Sequence, residues 1–81
     1  MKTEKQIEID RNYEVFQIAL PQILKTHYAQ TALLRQQNLV GFYPDAKDAI
    51  HAGKSMFGDN MFSIQIVEPQ TPIDLGWYSH V

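Results

Sequence analysis

The chain has 81 residues, no cysteine, 44% apolar residues and a formal net charge of −2. That length provides for one domain and one core, marginal unless a metal, a disulfide or a partner adds stability. Without cysteine, disulfides and thiolate metal sites are excluded, and the compartment is left open, a reducing one being the simplest.

Charge narrows the partners further. Lys2, Lys5 and Arg11 alternate with Glu4, Glu8, Asp10 and Glu14, and from Asp45 onward five acids face two lysines. No basic stripe is left to track a phosphate backbone, so nucleic acid is not an expected partner. The start lacks the apolar segment of a signal peptide, and no run is long enough to cross a bilayer. A soluble, cytoplasmic protein with no membrane partner is the expectation.

Residues 1–11 are polar, with isolated Ile7 and Ile9, and are expected to form a flexible N-terminus. Asp10 and Asn12 are N-cap candidates. From Tyr13 the residues Phe16, Ala19, Leu20, Ile23, Leu24 and His27 recur at helical spacing, predicting a helix over residues 13–27. Pro21 removes a backbone donor and crowds the Gln17 carbonyl, so a bend is expected there.

"TALLRQQNLVGFY" then carries two short apolar runs, 31–35 and 39–43, separated by Gln36, Gln37 and Asn38. A hairpin is expected, although the stronger Asn-Gly turn signal is missing. Leu33 and Tyr43 lie out of phase with Leu34, Val40 and Phe42, which predicts a hairpin covered on both faces. Pro44 ends the second strand. Asp45 caps a second helix, Asp48 favours its N-terminal dipole, and Gly58 suits a left-handed stop. Ala46, Ala49, Ile50, Gly53 and Phe57 form its apolar stripe, with Lys47, His51, Lys54 and Ser55 turned away. In "MFSIQIVE", Phe62, Ile64 and Ile66 alternate with Ser63, Gln65 and Val67, predicting a strand with one apolar face. Pro69 and Pro72 extend the chain into a tail.

The expected fold is α+β: a two-layer α-β-β-α-β domain over residues 12–68 with a three-stranded mixed sheet in the order 2-1-3. The first strand is central. The second helix covers one face, and the first helix either shares that face or covers the other. The aromatic tail, residues 69–81, is expected to pack back on the sheet.

Leu20-Pro21, the "ALLR" of residues 32–35, Val40-Gly41-Phe42, the capped helix 45–53 ending in Gly53, the "FSIQ" of residues 62–65 and the terminal Ser79-His80-Val81 form a pattern. It resembles a group of small uncharacterised bacterial proteins over residues 12–81, with Tyr43 where the pattern often has a second Phe. The resemblance implies no activity. Members look like companions of retropepsin-like aspartyl proteases, which implies a protein partner.

Candidate chemistry is sparse. His27, His51 and His80 show no metal-ligand spacing. His27 ends the first helix on its apolar side, where positive charge suits the dipole, and His51 lies on the solvent side of the second helix. Asp45 and Asp48 are explained by a helix start, and Asp59 by a turn. There is no Asp-Thr/Ser-Gly signature, Ser55, Ser63 and Ser79 lack a nucleophile elbow, and Gly41, Gly53, Gly58 and Gly76 do not form a phosphate loop. No catalytic residue, cofactor or metal is therefore assigned.

The aromatic tail "DLGWYSHV" has three readings: a plug for an open sheet face, an interface, or a C-terminal peptide ligand of the Ser-x-aliphatic type. The function expected is that of a small non-enzymatic accessory or regulatory module binding a protein or a second copy of itself. Its interaction candidates are Trp77, Tyr78, Ser79, His80, Val81, His51 and Lys54. The alternatives are a ligand-binding protein or enzyme centred on His27, and a structural homo-oligomer whose sheets pair through an edge strand.

Overall fold

The computed structural model describes residues 2–69. In chain order it contains α1 (Glu4–His27), β1 (Thr31–Arg35), β2 (Asn38–Tyr43), α2 (Ala46–Met56) and β3 (Ser63–Ile66). The tail readings, including Trp77, Tyr78, Ser79, His80 and Val81, lie outside the described residues.

The first helix begins at Glu4, so most of the segment expected to be flexible is helical. Its start is written in polar residues. Thr3 is the N-cap, its Oγ1 accepting the Gln6 N–H at 3.1 Å, and Glu4 places a carboxylate in the first turn. Asp10 accepts hydrogen bonds from Gln6 at 2.9 Å and Lys2 at 2.5 Å. Neither Asp10 nor Asn12 caps; both lie inside α1. Pro21 does not interrupt the helix, because Pro21 and Gln17 both face outward, where water can serve the carbonyl that lost its donor. The buried stripe is Asn12, Phe16, Leu20 and Ile23.

β1 and β2 form the expected hairpin, closed by the pair Arg35↔Asn38 over a two-residue turn. Gln36 and Gln37 have φ of 50° and 65°, the left-handed geometry that lets a two-residue turn follow the strand twist. The register slips between Leu33, opposite Gly41, and Leu34, opposite Leu39. Val40 is thus an extra residue, and this bulge puts Leu39 and Phe42 on one face although they are three apart. Both pack against Phe16, Leu20, Ile23, Ala32, Leu34 and Val67.

The sheet order is β2-β1-β3 with β1 central. Both pairings are antiparallel, which corrects the mixed sheet expected. The α2 crossover does return β3 in the direction of β2, but β1 lies between them, so no parallel ladder forms.

β1 is buried on both faces, with Ala32, Leu33 and Leu34 fully enclosed. Ala32 and Leu34 join the core under α1; Leu33 alternates to the opposite face, with Ile64 beside it in the register. α2 touches all three strands but not α1. α1 and α2 thus reach the sheet without touching each other, in keeping with the expected alternative in which the first helix covers the face that the second does not.

α2 begins as expected, the Asp45 carboxylate accepting the Asp48 N–H at 2.9 Å. Its buried residues are Ala49 and Gly53. A Cβ on Gly53 would lie 2.6–2.8 Å from Phe62 ring atoms, so the missing side chain is what allows the ring beneath the helix. The helix stops by an extended Phe57, whose N–H bonds the Gly53 carbonyl at 2.8 Å. Gly58 is not in the left-handed region; Asn60 is, with φ of 58°.

Candidate functional site

Two places gather polar or open surface: a knot beneath the hairpin turn and the outer edge of β3. The knot is centred on Asn12, a fully buried amide. Its Oδ1 accepts the Gln37 N–H at 2.7 Å. Its Nδ2 hydrogens are shared among Ser63 Oγ at 3.1 Å, Glu8 Oε2 at 3.2 Å and the Leu34 carbonyl at 3.4 Å. The same Glu8 oxygen accepts the Gln36 N–H at 2.7 Å. Two side chains one helical turn apart thus satisfy both left-handed residues of the turn, and one amide ties α1 to β1, the turn and β3. Desolvating an amide is tolerable only when its bonds are made, and here they are. A cleft of about 330 Å³ beside the knot is lined by Glu4, Ile7, Glu8, Arg11, Gln36, Gln37 and Met61.

Arg35 closes the same end of the sheet. Its guanidinium binds both oxygens of Asp59, at 2.7 and 3.2 Å, and the Met61 carbonyl at 3.2 Å, and lies 4.5 Å from the Phe57 ring centroid. Asp59 also accepts the Met61 N–H at 3.0 Å. The Arg35 hydrogen bond first, and the Met61 backbone second, hold the Asp59 carboxyl down to about 2. Lys5 reaches across to bond the Asn60 carbonyl and sits 5.0 Å from the Phe62 ring centroid. These bonds make the 57–62 turn a structural clasp.

The β3 edge has a different character. Val67 faces inward, donating to the Gln30 carbonyl and accepting from the Ala29 N–H, both at 2.8 Å. By alternation Gln65 and Ser63 also turn their backbone groups to β1, so the N–H and C=O of Ile64 and Ile66 point away from the sheet. Among the described residues no strand pairs with them. Ile66 is 49% exposed, and a groove of about 260 Å³ runs between Ala46 of α2 and Ile64, Gln65, Ile66 and Glu68. Ile50 and Met56 of α2 are also exposed.

The structure places His51 and Lys54 on the exposed side of α2 and does not bring them to a common site with His27. The His27 ring lies flat on Phe42, with centroids 3.7 Å apart and planes at 4°, and its Nδ1 is 2.8 Å from the Gln30 amide oxygen. Neither cleft is lined by His27. Among the described residues no group of three or more His, Asp or Glu is arranged to hold a metal ion, and no helix is long and apolar enough to cross a membrane. Asn12 is marked in the sequence only as a cap candidate, and its buried bridging role and the outward backbone of β3 escaped the sequence reading. The available signals were the phase of Asn12, four residues before Phe16 on the buried stripe, and the uncharged stretch Ser63–Ile66. Comparison with protein-family models, curated proteins and solved structures gives no match.

Proposed function

We propose that this chain is a small, non-catalytic cytoplasmic module that binds a polypeptide along β3 and the groove beside α2, acting as an accessory or regulatory protein. The observation that carries the reading is the edge itself. Ile64 and Ile66 present outward backbone donors and acceptors next to a groove lined by Ala46, Ile64 and Ile66 together with Gln65 and Glu68, the two ingredients of recognition by strand addition. Edge strands are usually blunted by a lysine, a proline or an inward charge, and Ser63–Ile66 carries none of these. His51 and Lys54 offer polar contacts from the exposed side of α2, and residues 77–81 remain interaction candidates that follow β3 in sequence. The His27 alternative draws less support, because its ring is engaged by Phe42 and Gln30.

Photo-crosslinking in cells tests the reading. A photoreactive residue in place of Ile66 should give a discrete polypeptide adduct, whereas one in place of Ile18, which is 81% exposed on α1, should give none. Equal labelling from both positions, or none from position 66, overturns it.

A further inference from the structure

We infer that the polypeptide received at the β3 edge is a second copy of this chain, paired antiparallel about a twofold axis at Gln65; this rests on the edge-binding reading above. The stretch Ile64-Gln65-Ile66 is palindromic, and its symmetry matches the backbone. An isologous strand pair requires residues that face one another to be drawn from the same set on both copies. Centred on Gln65, Ile64 of one copy stands opposite Ile66 of the other. Both are positions whose N–H and C=O point outward. The twofold therefore makes two hydrogen-bonded Ile64–Ile66 pairs, four backbone bonds in all, around a non-hydrogen-bonded Gln65–Gln65 pair.

Side chains agree with that register. Ile64 and Ile66 lie on the face of α2, so the Ile66 of each copy lands at the groove bounded by Ala46 and Ile64 of the other. The two Gln65 amides meet on the opposite face, where each can donate to the other. The Glu68 carboxylates stand opposite Phe62 of the other copy, ~20 Å apart by strand rise, and do not repel.

The neighbouring registers are less well satisfied. Shifting the axis to Ile64 pairs Ile66 with Phe62, whose N–H is already bonded to the Asn60 carbonyl at 3.1 Å. Shifting it to Ile66 sets Ile64 against Glu68, beyond the end of β3, and leaves a single hydrogen-bonded pair within the strand, Ile66–Ile66, where the Gln65 axis makes two.

A cysteine-free chain makes the register directly readable. In the full-length protein Gln65→Cys should oxidise to a covalent dimer under mild oxidant, because the Cα atoms of a non-hydrogen-bonded pair lie ~4.5 Å apart. Ile64→Cys and Ile66→Cys, each displaced from its own copy by two residues, should cross-link at least tenfold more slowly. Sedimentation equilibrium of the unmodified full chain should show a dimer, and Ile66→Lys, at an exposed position that leaves the core intact, should raise the dissociation constant at least tenfold. Equal cross-linking at the three positions, or a monomeric mass, overturns the inference. A monomer whose position-66 crosslinker captures a different polypeptide overturns the second copy alone and leaves the edge-binding reading standing. No adduct at position 66 removes both.

Discussion

The two helices grip one sheet by different chemistry. α1 inserts Phe16, Leu20 and Ile23 into a continuous core and adds a buried amide, Asn12, whose bonds reach β1, β3 and the hairpin turn. α2 brings almost no side-chain volume. It buries Ala49 and Gly53, and its hold depends on Phe62, just before β3, rising into the space that Gly53 leaves. One contact is fixed by direction, the other by fit. Directional contacts fail when a partner is removed; fitted contacts fail when something is added.

The largest expected effect comes from emptying the α1 side. Phe16 is fully buried at the centre of that cluster, and Phe16→Ala should cost about 3–5 kcal/mol by transfer and cavity formation, read as a lower midpoint in chemical denaturation. For so small a domain that is enough to unfold much of the population. Asn12→Leu comes next. It keeps bulk and apolar contact but leaves the Gln37 N–H and the Leu34 carbonyl without the amide, for an expected loss of about 2–3 kcal/mol. If Asn12→Leu were as stable as the parent, the directional account of α1 would be wrong.

On the α2 side the sign is set by addition. Gly53→Ala raises helix propensity by about 1 kcal/mol, yet its Cβ must displace a ring that is 92% enclosed by the fold, Phe62 being 8% exposed. A net loss of about 1–2 kcal/mol is expected, as for other overpacked sites. Phe62→Leu should remove that penalty when combined with Gly53→Ala, so the double-mutant cycle shows coupling of opposite sign to the single effects. Additive losses would mean that Gly53 is not kept small by Phe62.

These contrasts show what was legible in the sequence. The order of elements, the Asp45 cap, the central β1 and the β2-β1-β3 order follow from apolar spacing and turn residues. The first turns of α1 did not, because Thr3, Gln6 and Asp10 stabilise it through hydrogen bonds that hydrophobic periodicity cannot register. The Val40 bulge also hid, since it gives Leu39 and Phe42 a common face that strict alternation denies them. Of the candidate site, the edge strand was foreseeable from chain order, whereas its outward backbone set depended on the Val67 bonds.

The hairpin turn provides a smaller test on the α1 side. Gln36 and Gln37 hold left-handed backbone that glycine adopts at no steric cost. Gln37→Gly keeps the N–H that Asn12 receives while removing the conformational penalty, so a gain of about 0.5–1 kcal/mol is expected in thermal melts. Combined with Asn12→Leu the gain should persist, because it resides in the turn's torsions. Loss of the gain would show that Asn12 itself sets the turn geometry.

The smallest effect belongs to the Arg35–Asp59 clasp, which joins the end of β1 to the turn after α2. Arg35 holds the Asp59 carboxyl at about 2, below the 3.8 of an unperturbed aspartate. A depressed carboxyl stabilises the fold above its unfolded value, and the contribution falls away as the pH drops from about 4 through 2. Asp59 is about half exposed as a side chain, so water screens the pair and the contribution is small. The test is the difference between parent and Asp59→Asn across that window. Their midpoints should differ most at neutral pH and converge towards pH 2, while the Asp10 and Lys2 contribution, common to both proteins, cancels. The Met61 N–H bond is kept in both proteins, because the asparagine oxygen can still accept it. A difference that stayed constant with pH would therefore not come from the carboxylate's charge, and would leave Arg35 without a measurable part in joining the two ends.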